Sequence, residues 1–407
     1  MNIAVNHDVM RNENLKTVLR CIIENAPITK RDVKKITGLS WGSVSMISNE
    51  LVKNRIIAEK KLNAGHIGRA PLVLDACTDN NLIIGLNFNV DSITVILMDL
   101  QYRILFSLKN KLLKKDKESS IIDEAYELID LIYEKFDVDR EKIIGIGIAM
   151  QGVVDSVNGI SLYNPHFPQW NNVPLKSLFE NRYSLPVFVD QMANCRALSE
   201  RWLGTARGAN NLLFIGISMG IGMSIIINGE VYNGFNGNAG ELGHITMIPN
   251  GKRCSCGNYG CLETVASVRS ILERAIEGIN AGEKTILHEL LGNRPLQDID
   301  MSLMYRAFNM GDEFCIRILD DMAVYLGIAI SNMINVFNPE VIIIGGELAQ
   351  YENMFIKKLR ETLGNRAWKY SSNDLLISKL TGNTAAMGAG LIIIQKIFNG
   401  DLNLLVK

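Results

Sequence analysis

Proline and low-complexity sequence are scarce in this chain. Only 9 of its 407 residues are proline and no low-complexity tract is present, so the chain is neither a proline-rich linker protein nor a disordered one. At about 100–200 residues per domain, the length predicts two to four domains. With 47% apolar and 21% charged residues, these domains can bury real cores. We expect a chain that is globular throughout.

A targeting segment and a membrane span are also missing. Residues 1–8 contain no basic start followed by an apolar run, unlike a secretory signal. The stretch from Gly208 to Gly229 has no charged residue and is long enough to cross a membrane. Glycines in its middle instead predict two buried strands around a turn. We therefore expect a cytoplasmic location and no membrane partner.

The net charge of −1 conceals a basic segment. Residues 1–70 hold twelve Lys and Arg against six Asp and Glu, a net +6, and the remaining residues carry a net −7. A basic segment joined to an acidic body is typical of a nucleic-acid-binding module attached to another domain. A solvated charged face gives the same count, so charge alone leaves the two interpretations open.

The basic segment has the pattern of a helix-turn-helix. Apolar residues recur at helical spacing over residues 12–25, and Pro27 ends that helix. Thr29, with an acid three residues on, predicts a capped short helix over Lys30–Ile36, which Gly38 stops. Ser40 then suits the N-cap of a second helix. We expect the start of that second helix to enter the major groove of DNA.

A hairpin follows the two helices and predicts a wing. It runs from residue 56 to residue 74 through a Gly68-Arg69-Ala70-Pro71 tip, which defines a winged helix-turn-helix domain over residues 1–74. Arg69 either enters a minor groove or contacts a phosphate. Base specificity is obscure, because the second helix presents Trp41 and Met46 rather than basic or amide side chains. The expected DNA-contacting residues are Ser40, Trp41, Ser43, Ser45 and Arg69.

The remaining residues, 75–407, predict an α/β body with an internal repeat. The predicted elements are strands over 82–88, 92–99 and 102–107, a helix over 120–136, a strand over 143–149, and then strands over 212–218 and 222–227. A further buried strand at 341–344 ends in Gly345-Gly346. The strand pattern thus restarts at Asn211, 129 residues after Leu82. Two similar halves facing one another predict a cleft for a small ligand.

Three of the seven cysteines cluster behind a histidine. His244, Cys254, Cys256 and Cys261 form His-x9-Cys-x-Cys-x4-Cys, a set of soft and imidazole ligands that suits tetrahedral zinc. Disulfide pairing is disfavoured, because three cysteines leave one unpaired and Cys-x-Cys closes poorly. With four protein ligands no position is left for water, so we expect one structural zinc per chain in a knuckle over residues 244–261.

Two carboxylates flank this knuckle. Glu241 lies three residues before His244, and Glu263 lies two residues after the last cysteine. Their oxygens, with the free ring nitrogen of His244, could accept or donate hydrogen bonds to sugar hydroxyls. Support of the zinc ligands is the equally weighted alternative.

The sequence resembles the ROK family of repressors, open reading frames and kinases, and in particular its winged-helix repressors. The resemblance spans nearly the whole chain. It rests on Ile36-Thr37-Gly38-Leu39-Ser40, Gly68-Arg69-Ala70-Pro71, Tyr163-Asn164-Pro165 with Trp170, Gly237-Asn238-Ala239-Gly240-Glu241-Leu242-Gly243-His244 and Cys254-Ser255-Cys256-Gly257-Asn258-Tyr259-Gly260-Cys261-Leu262-Glu263. It implies a duplicated actin-like, hexokinase-like fold and a bound sugar. The sugar-binding residues that it implies are Glu241, His244, Glu263, Asn164 and Gln191.

Departures from the kinases of this family favour a repressor. Where the kinases carry Asp-x-Gly-Gly-Thr for ATP phosphates, residues 87–91 contain no glycine, and residues 218–220 lack the second Gly-Thr-Gly loop. Met192 stands in place of the aspartate that removes the proton from the sugar, and a thioether cannot act as a base. Asp190 would need another register to replace that aspartate.

Together these observations predict a regulator of carbohydrate-utilisation genes and not an enzyme. We expect it to bind double-stranded operator DNA as a homodimer or homotetramer and to be released by a monosaccharide. Two alternatives remain: an ATP-dependent sugar kinase that kept a DNA-binding head, and a DNA-binding scaffold without a small ligand. The sequence does not identify the sugar, its phosphorylation state, the operator or the sign of the sugar effect.

Overall fold

The fold is taken from a computed structural model, which describes residues 7–61, 71–112, 118–164, 167, 170–368 and 374–405. The chain divides into two compact units, and each is described by itself. The first unit consists of Met1–Cys195 with Gly382–Lys407, and the second of Arg196–Thr381. Among the described residues, no helix is both long enough and apolar enough to cross a membrane.

The described residues contain thirteen α-helices and fifteen strands. The helices are α1 (His7–Asn25), α2 (Lys30–Thr37), α3 (Trp41–Lys53), α4 (Glu118–Lys135), α5 (Leu175–Tyr183), α6 (Met192–Leu203), α7 (Glu263–Ala266), α8 (Val268–Asn280), α9 (Leu287–Leu291), α10 (Met301–Asn309), α11 (Glu313–Phe337), α12 (Ile356–Arg366) and α13 (Thr384–Phe398). The strands are β1 (Ile57–Lys61), β2 (Leu72–Ala76), β3 (Leu82–Phe88), β4 (Ser92–Met98), β5 (Ile104–Lys111), β6 (Ile143–Met150), β7 (Val153–Asp155), β8 (Ile160–Tyr163), β9 (Asn171–Val173), β10 (Val187–Gln191), β11 (Leu212–Ile217), β12 (Ile221–Ile227), β13 (Glu230–Val231), β14 (Val341–Gly345) and β15 (Leu375–Ile377).

The head, comprising α1–α3, β1 and β2, consists of three helices and two paired strands near the positions predicted for them. The Thr29 hydroxyl accepts a hydrogen bond from the Asp32 backbone N–H, which caps α2, and Gly38 ends that helix in the left-handed conformation. Ser40 caps α3. β1 and β2 pair antiparallel, and the tip between them, with Arg69, lies outside the described residues. α1 begins at His7, five residues before the predicted start, because its first turns lack the apolar spacing.

Two five-stranded sheets of the same topology confirm the internal repeat. The strand order is β10-β6-β3-β4-β5 in the first unit and β13-β12-β11-β14-β15 in the second. In each sheet the first strand along the chain pairs antiparallel with the second and parallel with the fourth, and the fourth pairs parallel with the fifth. The body is therefore a duplicated α/β fold. The predicted third strand was misplaced, because Tyr102 lies in the turn at a φ of 67° and β5 starts at Ile104.

Glycines let α13 lie directly on the first sheet. A Cβ atom added at Gly147 of β6 would lie 1.9 Å from the carbonyl oxygen of Ala389, and one at Gly85 of β3 would lie 2.1 Å from that of Ala386. Neither backbone can move away alone, because both strands are central in the sheet. The backbone of the helix therefore touches the backbone of the sheet at two points.

Replacing Gly147 with alanine should separate this contact. We expect Gly147→Ala to destabilise the first unit by about 1–3 kcal/mol or more, since a buried methyl group forces backbone shifts. Gly364→Ala is the matched control, because Gly364 lies exposed on α12 and a Cβ atom there would meet no other atom within 4 Å. Thermal melting compares the two. A melting temperature for Gly147→Ala equal to or above that of wild type would contradict the contact.

Candidate functional site

The segment Gly240–His244 holds two predicted site residues against β12. Gly240 has a φ of 89°, and a Cβ atom there would lie 2.2 Å from the carbonyl oxygen of Met223. A Cβ atom at Gly243 would lie 2.3 Å from the carbonyl oxygen of Ile221. Only glycine fits at both positions. Close packing at Gly240 and Gly243 therefore fixes the backbone that carries Glu241 and His244.

The three cysteines lie on a tight loop that folds back on itself. The Cys254 N–H donates to the carbonyl of Asn258 at 2.8 Å, and the Gly257 N–H donates to the carbonyl of Cys254 at 3.0 Å. Gly260 has a φ of 66°, and a side chain there would collide with the carbonyl oxygen of Ile248. These contacts bring Cys261 beside residues 244–246, where it forms an antiparallel bridge with Thr246.

Four side chains on this loop converge with the geometry of a metal site. The ligand atoms of His244, Cys254, Cys256 and Cys261 all lie within 4.8 Å of one another. Two sulfurs, of Cys256 and Cys261, are 3.7 Å apart, and Nδ1 of His244 is 3.6 Å from Sγ of Cys254. Tetrahedral zinc with usual bond lengths requires edges of about 3.8 Å between sulfurs and about 3.6 Å from sulfur to nitrogen. The cluster can therefore bind a metal ion, and its edges suit zinc.

The second ring nitrogen of His244 faces away from the cysteines. Its Nε2 lies 3.9 Å from a carboxylate oxygen of Glu241, while Nδ1 faces Cys254. Such an arrangement fixes a ligand imidazole by contacts at both ends. Burial raises the pKa of Glu241, His244 lowers it and Glu263 raises it again. Glu241, His244 and Glu263 thus form one electrostatic group within the second unit.

Glu263 makes a contact that the sequence did not reveal. Its Oε2 accepts a hydrogen bond of 3.0 Å from the Ile221 N–H, at the start of β12. The same oxygen lies over Gly220, where a Cβ atom would approach it to 2.5 Å. Glu263 therefore ties the start of α7 to the β11–β12 turn. No spacing rule connects residues 42 positions apart, so no sequence signal predicted this.

The candidate residues of the first unit are buried at the ends of strands. Asn164 and Trp170 are fully buried, and Gln191 ends β10. Asp190 is buried beside Gln191, and its Oδ1 accepts 2.7 Å hydrogen bonds from the Gln191 N–H and from Nδ2 of Asn194. Burial raises the pKa of Asp190 to about 6, although both hydrogen bonds and Lys396 oppose this shift.

Comparison with known proteins identifies the family. The model of the ROK family matches residues 83–396. The chain belongs to the ROK family. The predicted resemblance and the duplicated hexokinase-like body are thereby confirmed.

ROK relatives include both regulators and kinases. The chain is 30% identical to the xylose repressor of Caldicellulosiruptor bescii, over 97% of this chain and 98% of that one. A solved ROK family transcriptional regulator, described as a homologue of the E. coli MLC protein, is 29% identical with a TM-score of 0.84 and covers 97% of this chain and 98% of its own. A ROK glucokinase from Streptomyces griseus, solved with glucose and AMPPNP, is 27% identical with a TM-score of 0.66 and covers 77% of this chain and all of its own.

Hydrogen bonds within the chain hold the β3–β4 and β11–β12 turns, the two turns that the family resemblance compares with phosphate loops. In the β3–β4 turn, the Asn89 N–H donates to the Ser92 carbonyl at 2.9 Å, and the carboxylate of Asp91 accepts from the Ser92 hydroxyl. No residue from 87 to 91, a range the structure describes in full, has a positive φ. In the β11–β12 turn, the Ser218 N–H donates to the Gly220 carbonyl. Carboxylates of Asp91 and Glu263 therefore accept hydrogen bonds at these two turns.

The candidate DNA-contacting residues lie at the start of α3. The hydroxyl groups of Ser40 and Ser43 are 2.9 Å apart and hydrogen-bonded to one another. Its position in the sequence suggested that the Ser43 side chain is free to contact DNA. In this structure the hydroxyl of Ser40, which caps α3, instead holds the hydroxyl of Ser43. Trp41 is exposed, and Ser45 is half-buried. The contacts of these residues with DNA remain predictions.

The raised pKa of Asp190 predicts a pH-dependent stability. Because the folded-state pKa of about 6 exceeds the ordinary value of 3.8, wild type should lose stability as pH rises from about 4 to about 6. Asp190→Asn removes the charge and keeps an oxygen for Asn194. The variant should therefore gain about 2–3 kcal/mol over wild type at pH 7.5 and nothing near pH 4.

Melting curves across this pH range measure the effect. Asp155→Asn is the control, since Asp155 lies in the same unit and its hydrogen bonds to Asn158 lower its pKa. That control should gain nothing at pH 7.5. If the difference in stability between Asp190→Asn and wild type does not change with pH, the pKa of Asp190 is not raised and the prediction is wrong.

Proposed function

We propose that this chain is a DNA-binding transcriptional repressor of carbohydrate-utilisation genes whose DNA affinity is lowered by a monosaccharide. The observation that carries the proposal is the share of this chain that each relative matches. The regulators match 97% of the chain, including the head, whereas the glucokinase matches 77% of it. The basic head is thus the part that distinguishes this chain and the regulators from the kinase.

The sugar is proposed to bind at Glu241, His244 and Glu263. The Glu241 side chain is 41% exposed and its carboxylate accepts no hydrogen bond from the described residues, so its oxygens are available to sugar hydroxyls. Glu263 uses Oε2 for the Ile221 N–H, which leaves Oε1 for a hydroxyl. The glucokinase relative binds glucose, which supports a sugar as the ligand class. Asn164 and Gln191 remain predicted sugar contacts.

The chain is proposed to bind the sugar without phosphorylating it. Met192 offers no base at the position of the kinase aspartate, and Asp190 is held by Asn194 and the Gln191 N–H. The carboxylate of Asp91 in the first turn would repel a phosphate. A kinase with a DNA-binding head is the competing function, and sugar-dependent ADP formation above contaminating-kinase controls would establish it.

The metal is proposed to be one structural zinc per chain. Four protein ligands at tetrahedral spacing leave no position for water, so the ion would cross-link the loop and hold His244 in place. Because His244 lies against Glu241, loss of the ion should also disturb the sugar site. Assembly as a homodimer or homotetramer, with residues 1–74 as separate DNA-binding domains, remains a prediction from the two-fold symmetry of typical operators.

Cys256→Ser tests the metal site. Removing one thiolate ligand should release most of the zinc and lower the melting temperature, since metal binding is coupled to folding of the loop. Cys77→Ser is the control, because Cys77 lies outside the cluster and should keep one zinc per chain. Elemental analysis of protein purified without chelators gives the zinc content. Wild type without zinc, or a disulfide among these cysteines, would contradict the assignment.

Glu241→Ala tests the sugar site. A thermal-shift screen of free and phosphorylated monosaccharides first identifies the ligand. The variant should then lose about 1.5–3 kcal/mol of sugar affinity, the usual contribution of hydrogen bonds to a charged group. DNA binding without sugar should be intact, so the variant should repress even when sugar is present. Calorimetry measures the sugar affinity, and fluorescence anisotropy measures DNA binding.

Two checks make this test specific. Glu289→Ala removes an exposed carboxylate elsewhere in the second unit and should bind sugar like wild type. Zinc content should be unchanged in Glu241→Ala, which separates loss of the carboxylate from loss of the loop. If Glu241→Ala responds to the same sugar at the same concentration, the site is elsewhere.

A further inference from the structure

Two large apolar side chains are exposed in the first turns of α3. The buried side of the helix consists of Val44, Ile47, Ser48 and Leu51. Trp41, at the first position of the helix, is 53% exposed, and Met46 is 55% exposed. Covering such apolar surface with a partner is favourable. The first turns of this helix therefore present apolar groups where base-reading helices usually present polar ones.

Two polar side chains near Trp41 and Met46, those of Ser43 and Asn49, already have partners. The hydroxyl of Ser43 is hydrogen-bonded to that of Ser40. The side-chain oxygen of Asn49 accepts a 3.0 Å hydrogen bond from Lys30, which also pairs with Glu59. An asparagine needs both its oxygen and its nitrogen to read adenine. Trp41 and Met46 are thus more available to a partner than the polar groups around them.

Gly42 lies between these two residues around the helix axis, and no contact among the described residues requires glycine there. A Cβ atom there would meet one atom, the Ser40 hydroxyl oxygen, at 3.8 Å, an ordinary contact. Its φ is not in the left-handed region. Glycine inside a helix destabilises it relative to alanine. A glycine that packing does not require at an exposed position is explained if another molecule must approach the backbone there.

The partner that fits this surface is duplex DNA. Residues 1–70 carry a net charge of +6, complementary to phosphates. The apolar group that base pairs present in the major groove is the C5-methyl of thymine. We propose that α3 recognises thymine methyl groups through Trp41 and Met46, and that Gly42 lets the helix backbone approach the base edges. This inference rests on the proposed function and specifies what the head reads.

Deoxyuridine substitution tests the proposal, because it removes the methyl group and nothing else. Full-length protein first selects binding sites from a pool of random duplexes. Each thymine in the selected site is then replaced singly with deoxyuridine, and affinities are measured by fluorescence anisotropy. One or more replacements should weaken wild-type binding about fourfold each, the factor equivalent to one buried methyl-sized group.

Two variants connect the effect to α3. At one position, wild type should bind the thymine duplex more tightly than the deoxyuridine duplex. Met46→Ala should bind these two duplexes with equal affinity. Gly42→Ala should raise the melting temperature yet bind DNA about fivefold more weakly or worse. The controls are Met310→Ala, which truncates a methionine 66% exposed in the second unit, and Gly364→Ala, on the exposed face of α12. Both should bind DNA like wild type.

The outcomes separate this inference from the proposed function. Selected duplexes that bind equally with thymine or deoxyuridine at every position would overturn methyl recognition while leaving DNA binding established. The apolar face would then serve another partner, such as a protein. Retention of the thymine preference by Met46→Ala and Trp41→Ala would likewise overturn it. Failure to select any duplex would instead contradict the proposed function itself.

Discussion

Close approach of backbone to backbone at glycine is the constraint on which the candidate site depends. Gly240 and Gly243 press the segment that carries Glu241 and His244 onto β12, and Gly260 presses the cysteine loop onto the carbonyl of Ile248. A single methyl group at any of these positions would overlap a carbonyl oxygen. Glu241 and His244 are therefore positioned by backbone packing on β12, and the cysteine loop by backbone packing on Ile248. α13 is seated on the first sheet in the same manner.

Carboxylates of the chain itself hold the two hairpin turns of the duplicated fold. Asp91 accepts a hydrogen bond from the Ser92 hydroxyl in the first turn, and Glu263 accepts one from the Ile221 N–H at the second. Glu263 has two proposed roles, since Oε2 fixes the turn and Oε1 is available to a sugar hydroxyl. The proposed absence of phosphate binding and the proposed sugar site thus involve one shared residue, Glu263.

Sequence patterns predicted the elements whose determinants are local. Caps at Thr29 and Ser40 located the starts of α2 and α3, and the spacing of the histidine and cysteines located the metal cluster. The repeated strand pattern predicted two sheets of one topology. Contacts distant in sequence could not be predicted, such as Glu263 with Ile221, nor could competition between neighbours, such as the hydroxyl of Ser43 held by that of Ser40. In each case the deciding partner is set by tertiary packing.

The central claim is that sugar and DNA binding are coupled in one chain. A sugar lowers DNA affinity only if it binds the DNA-free form more tightly, and thermodynamic linkage requires DNA to lower sugar affinity by the same factor. The most direct measurement is calorimetric titration of the sugar into the protein alone and into the protein saturated with a selected duplex. We predict that the sugar dissociation constant rises on the duplex by the factor by which sugar weakens DNA binding, about tenfold for a coupling of about 1.4 kcal/mol. Equal sugar affinity with and without DNA would contradict the account.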